Sequence, residues 1–150
     1  MKNTIKNKNF FSGGRALFTV SKENGPKYTF RIDCKLDHTR KQFEKNGPYF
    51  VKVFKGTENN NYKHYKYLGL YNSNIGKVFL TGKSLFSSNS VEFKTVNWAI
   101  STIFNGLPIP NGYFIQHEGK CSKCGRVLTT PESINNGIGP ECFKQLSLKF

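Results

Sequence analysis

The chain is short of acid, of histidine and of long apolar runs. Of its 150 residues only 9 are Asp or Glu, against 23 Lys or Arg, which leaves a net charge of +14. Carboxylates so few and so scattered do not make a two-metal nuclease. The 3 histidines are His38, His64 and His117, and none stands in a His-Glu-x-x-His signature. The His-x-Glu of the zinc deaminases is also missing, since His117 and Glu118 are adjacent. Gly82-Lys83-Ser84 ends like a phosphate loop, but Lys77 stands where the loop's first glycine belongs. With these signatures excluded, the expectation is a chain that is not an enzyme and has no small-molecule substrate.

No apolar run approaches the roughly 18 residues a membrane span needs. Met1 to Asn9 is basic and polar with no apolar stretch, unlike a signal peptide. A cytoplasmic, membrane-free protein is therefore expected. In that compartment cysteines, of which the chain has 4, are normally thiols, metal ligands or catalysts and rarely disulfides.

What is present is aromatic and basic. The 14 Phe and 7 Tyr promise a largely aromatic core. The positive charge is uneven: +7 over residues 1–50, +5 over 51–100 and +2 over 101–150. A field of this size favours polyanions such as DNA or RNA, or an acidic protein surface; a solubility charge is the plainer explanation.

Residues 1–14, with Lys2, Lys6 and Lys8 among asparagines, read as a flexible basic arm ending at Gly13-Gly14. Strand-like alternation follows in Ala16–Val20, Tyr28–Cys34, Tyr49–Phe54, Tyr65–Tyr71 and Lys77–Leu80, with Asn24-Gly25-Pro26 turning the first hairpin. One helix is expected after the N-cap Ser90. Val96, Ala99, Ile100, Ile103 and Phe104 recur at helical spacing, and Asn105-Gly106 stops it. Residues 15–105 are thus predicted to be an α+β domain, an antiparallel sheet backed by one helix. Residues 106–150 are predicted to be a linker and a separate small module.

That module carries Cys121-x2-Cys124-Gly125, with Cys142 after 17 intervening residues. A Cys-x2-Cys-Gly turn lets both thiolates face one ion while backbone N–H groups stabilise their charge, as in a zinc knuckle. Pro140 and Glu141 suit the start of a helix, so Cys142 falls in a first turn whose field favours thiolate. Knuckle, short hairpin (Arg126–Leu128) and ligand-bearing helix make a treble-clef-like arrangement around zinc. Structural zinc wants four ligands. Gly139 occupies the position where the fourth would fall, so His117, at His-x3-Cys from Cys121, is the expected fourth ligand; Cys34 is its rival, ahead of water or no fourth ligand. Thr129 or Thr130 is expected to cap a turn beginning at Pro131.

The run from Cys121 to Cys142 resembles a signature, CxxCGRxLTxPxSxxxGIGPxC. It marks a domain-of-unknown-function family found at the end of phage, plasmid and actinobacterial proteins. The resemblance covers roughly residues 120–145 and implies metal binding and a mobile-element origin; it implies no reaction.

Asn61 to Tyr67 interleaves aromatic and basic residues, with Lys63, Tyr65 and Tyr67 on one face of a strand and Lys66 on the other. Phe50, Lys52 and Phe54 form a similar stripe, and Lys120, Lys123 and Arg126 surround the knuckle. The leading expectation is a phage- or mobile-element-encoded nucleic-acid-binding accessory protein in the host cytoplasm, with a structural zinc site. The alternatives are an inhibitor that docks on a host defence or polymerase complex, and a minor virion component.

Overall fold

The computed structural model describes residues 3–34, 48–56 and 64–148. Six strands form one antiparallel sheet: β1 (Arg15–Lys22), β2 (Lys27–Cys34), β3 (Tyr49–Phe54), β4 (Tyr65–Asn72), β5 (Lys77–Phe79) and β6 (Tyr113–His117). Their spatial order is β5-β4-β3-β2-β1-β6. The first five are laid down as a meander, each pairing with the next. Helix α1 (Val91–Phe104) then crosses the inner face and delivers β6 to the free edge of β1.

Alternation explains the inner face. Ala16, Phe18, Val20, Phe30, Ile32, Val51 and Val53 are buried on it, and α1 contributes Val96, Ala99, Ile100 and Ile103 to the same core. Each large side chain so buried is worth roughly 1.5–3 kcal/mol. The helix starts as expected, the Ser90 hydroxyl accepting from the Phe93 N–H at 3.2 Å. Asn97 ties it to the edge strand, accepting from the Val78 N–H at 2.8 Å and donating to the Val78 carbonyl at 3.2 Å. Glu92 in the first turn accepts from Lys55 Nζ at 2.6 Å.

Two expectations about organisation need correction. Residues 3–14 do not form a free arm. The Ile5 N–H donates to the Ile115 carbonyl, and Thr4 bridges Gln116, so this segment lines the outer edge of β6. A 3-10 turn at Lys8–Ser12 then drives Phe10 and Phe11 into the core. Both rings are fully buried, and both meet Phe18 edge-on. Three large apolar side chains outweigh the asparagines and lysines around them. The boundary at residue 105 also fails, because β6 lies beyond it and completes the sheet beside β1.

Candidate functional site

Beyond β6 the chain turns at Gly119 and makes the knuckle. The Gly125 N–H donates to the Cys121 carbonyl at 2.9 Å, and the Cys121 N–H to the Arg126 carbonyl at 2.8 Å. The expected hairpin at Arg126–Leu128 is reduced to one bridge, Lys120 to Val127. Helix α2 (Pro131–Asn136) opens with a reciprocal cap between Thr130 and Ser133, which makes Thr130 the capping threonine. It ends at Gly137 in the left-handed conformation, φ 68°. Helix α3 (Pro140–Leu148) follows at once, with Cys142 in its first turn.

The outcome is a cluster. The sulfurs of Cys121, Cys124 and Cys142 all lie within 4.8 Å of one another. Three thiols at this distance fit one thiophilic ion. Backbone N–H groups of Lys123 and Cys124 point at Cys121 Sγ from 3.4 and 3.5 Å. Burial alone would push the Cys121 thiol up, yet N–H groups of Cys124, Gly139 and Lys123 bring it below the ordinary thiol value. Cys142 is pushed up to about 12, by burial and then by the charges of Cys121 and Cys124. Three thiolates this close repel one another until a cation neutralises them, which makes metal binding and deprotonation one event.

Among the described residues neither candidate for a fourth protein ligand joins the cluster. His117 has both ring nitrogens engaged elsewhere. Its Nδ1 accepts from the Gly119 N–H at 2.9 Å, which makes Nε2 the protonated nitrogen, donating to the Ile134 carbonyl at 2.7 Å. The ring is 2% exposed and lies against Phe10 at 5.7 Å. Burial holds it in the neutral form, below its usual value. His117 is therefore a clamp between β6 and α2. Cys34 is buried at the end of β2, where its N–H donates to the Gly14 carbonyl at 3.1 Å. At Gly139 a Cβ would stand 3.8 Å from Cys121 Sγ, an ordinary contact beside the cluster. A cavity of about 440 Å³, lined in part by Cys124, Cys142 and Gly139, adjoins it.

The module is stitched to the sheet. The Arg15 N–H donates to the Ser122 carbonyl at 2.6 Å, and Arg15 Nη1 to the Cys124 carbonyl at 3.4 Å. Gly13 lies so close that a Cβ there would meet the Ser122 carbonyl oxygen at 2.6 Å. A Cβ on Gly137 would meet the Phe10 ring at 2.5 Å. Sequence reasoning missed these contacts. The one available signal was the pair of apolar rings, Phe10-Phe11, just ahead of Gly13.

The outer sheet face carries the remaining candidates. The two aromatic stripes come together there, because Lys52 pairs with Tyr67 and Phe54 with Tyr65 across β3 and β4. Phe50 meets Tyr67 at 6.2 Å, and Phe54 meets Tyr65 at 5.4 Å. Arg31 of β2 stands 5.5 Å over Tyr65, and Asp33 pairs with both Arg31 and Lys52. Tyr65 is buried, while Tyr67, Phe50, Lys52 and Phe54 are half-exposed. Lys66 is exposed and pairs with Val53, off this face. Lys63 lies outside the described residues. Lys120 and Arg126, beside the knuckle in sequence, are exposed, and Lys123 is half-buried.

Residues 114–147 match the model of a family of unknown function (DUF6011). The matched segment begins inside β6, and so takes in the His117 clamp as well as the cysteine cluster. No curated protein and no solved structure matches the chain. No helix among the described residues is long and apolar enough to cross a membrane.

Proposed function

We propose that the chain is a nucleic-acid-binding accessory protein of a phage or other mobile element, in which Cys121, Cys124 and Cys142 hold a structural zinc ion in a treble-clef-like module. It binds and does no chemistry. The observation that carries the reading is the convergence of Phe50, Lys52, Phe54 and Tyr67 on one face beside Arg31. Half-exposed aromatic rings among guanidinium and ammonium groups stack on unpaired bases while the cations meet phosphate. Asp33 tempers that charge locally, but the chain as a whole carries +14. Zinc suits the three thiolates, and its role is to keep the last helices folded against the sheet.

The test is a gel shift with single-stranded and duplex DNA and RNA at two salt concentrations. The expected result is binding that prefers single strands and falls steeply with salt. Absence of binding at low salt would move the reading to a protein partner docked on the basic surface. Metal analysis should find about one zinc per chain, and Cys124→Ser should lose it. A metal-free chain whose last helices are fully protected from hydrogen exchange would overturn the zinc assignment.

A further inference from the structure

On the opposite side of the sheet from Tyr67, α1 does not cover the end of the β1–β2 hairpin. A groove of about 430 Å³ opens there. Its volume falls within the roughly 300–1,000 Å³ of ordinary ligand sites. Three aromatic residues line it: Tyr28 from β2, Trp98 from α1 and Tyr113 from β6. The Trp98 and Tyr113 rings are 5.4 Å apart and inclined at 58°. Two ammonium groups join the lining, Lys22 and Lys94, and no carboxylate is among the described lining residues. Lys22 Nζ stands 5.6 Å over the Tyr113 ring. Both lysines are exposed, and Tyr113 is 36% exposed.

We infer that this groove binds one unpaired base of a single-stranded nucleic acid, with the flanking phosphates on Lys22 and Lys94. The inference rests on the nucleic-acid reading above and adds a second, separate contact to the outer sheet face. The chemistry selects the occupant. An apolar peptide would fill the aromatic floor but leave the two ammonium groups without a partner. A bare anion would satisfy the lysines and waste the rings. A nucleotide supplies a flat π-face and a phosphate within one unit, and stacking on indole or phenol is tolerant of which base is present. The charge agrees, since a carboxylate-free rim on a +14 chain attracts a polyanion and repels basic segments.

The groove contains its own reporter. Trp98 is the single tryptophan of the chain, so its emission reads this site and no other. The experiment titrates the full chain with a labelled oligothymidylate at low salt, following label anisotropy and tryptophan emission together. The expected result is quenching of Trp98 in step with the anisotropy rise. Lys22→Ala with Lys94→Ala, both on exposed side chains, should weaken the complex about tenfold and reduce the quench. Tyr113→Ala should weaken it by about 5- to 150-fold, the range of one lost stacking contact. Tyr67→Ala on the outer face should weaken the complex, as its own stacking contact is lost, but the quench reached at saturation should match the parent's. If anisotropy rises while Trp98 emission stays constant, the groove is not a base site, yet the nucleic-acid reading survives. If anisotropy does not rise at all, both fall. If polyglutamate quenches Trp98 where the oligonucleotide does not, the groove belongs to an acidic protein partner and the inference is overturned.

Discussion

Replacing His117 with alanine separates two roles open to the ring, metal ligand and internal clamp. The geometry assigns the clamp. In the variant the Gly119 N–H and the Ile134 carbonyl each lose a partner 2.9 and 2.7 Å away, inside a site where the ring was 2% exposed. A buried polar group left unsatisfied costs about 1–3 kcal/mol. Relaxation and water entry recover part of this, while the lost packing on Phe10 adds to it. About 3 kcal/mol is the expected destabilisation, or roughly 6–12 °C in melting temperature for a chain of this size. Metal content at saturation should remain about one per chain, and the visible spectrum of the cobalt-loaded chain should keep its shape, since the thiolate donor set is intact. The ring also gives a pH signature. Burial lowers its folded pKa, so the unfolded chain binds the proton more readily. The neutral ring's contribution is then fully present above the unfolded value of about 6.5 and is lost as pH falls below it through the folded value. Thermal melts across that window should lose stability more steeply in the parent than in the variant, with acid release of metal common to both. A variant that melts like the parent but changes its cobalt spectrum would refute the clamp and restore His117 as a ligand.

Three further outcomes follow from the same geometry. Gly139→Cys offers a fourth thiolate beside Cys121, at a position where a side chain is in ordinary contact, and should slow loss of metal to a chelator about tenfold; unchanged chelation kinetics would show that the new sulfur does not reach the ion. Gly13→Ala pushes into the Ser122 backbone and should destabilise the chain by about 1–3 kcal/mol, seen as a lower denaturant midpoint with the sheet still formed; an unchanged midpoint would mean that the module is free of the sheet. Tyr67→Ala should weaken single-strand binding with little loss of stability, whereas Tyr65→Ala, on a buried ring under Arg31, should lower the melting temperature first. Both are read by anisotropy and thermal melts on the same samples.

What could be read from residues alone was whatever announces itself over a few positions. The five strands of the meander alternate over six to eight residues or end in clear turns, and they fall close to where alternation predicts. Helix α1 has both a serine cap and a repeating apolar face, and it too is where expected. Cysteine spacing predicted the three-sulfur cluster. The misses share a physical cause, which is that the decisive partner is distant in sequence. Strand β6 alternates as Tyr-Phe-Ile-Gln-His, but its inward histidine reads as polar, and nothing local says that residue 117 is buried. Ile5, Phe10 and Phe11 are diluted by asparagine and lysine, and their partners are distant: Ile115 and His117 of β6 for Ile5 and Phe10, Phe18 and Tyr71 for Phe11.

These misses change how the two regions can be tested. The first 100 residues hold +12 of the charge, and a sequence-based boundary at Asn105 invites a truncation to ask which region binds a polyanion. In the folded chain that cut removes β6, strips the partner from Phe18 to Lys22 of β1 and uncovers the segment carrying Ile5. An unpaired edge strand offers free N–H and C=O groups to other chains, so such a fragment would lose affinity through aggregation as readily as through lost contacts. The reverse fragment, residues 106–150, would take His117 away from Phe10 and Ser122 away from Arg15. Division of labour between sheet and metal module is therefore a question for point variants in the full chain. Charge reversal at Lys52 reads the sheet and at Lys94 the groove beside α1, and reversal at Lys120 or Arg126, exposed near the knuckle, reads the module. If the module merely orients the sheet, Lys120→Glu and Arg126→Glu should leave the salt dependence of binding unchanged, while Lys94→Glu reduces its slope by about one. A slope that falls with the knuckle residues instead would make the cysteine module the reader.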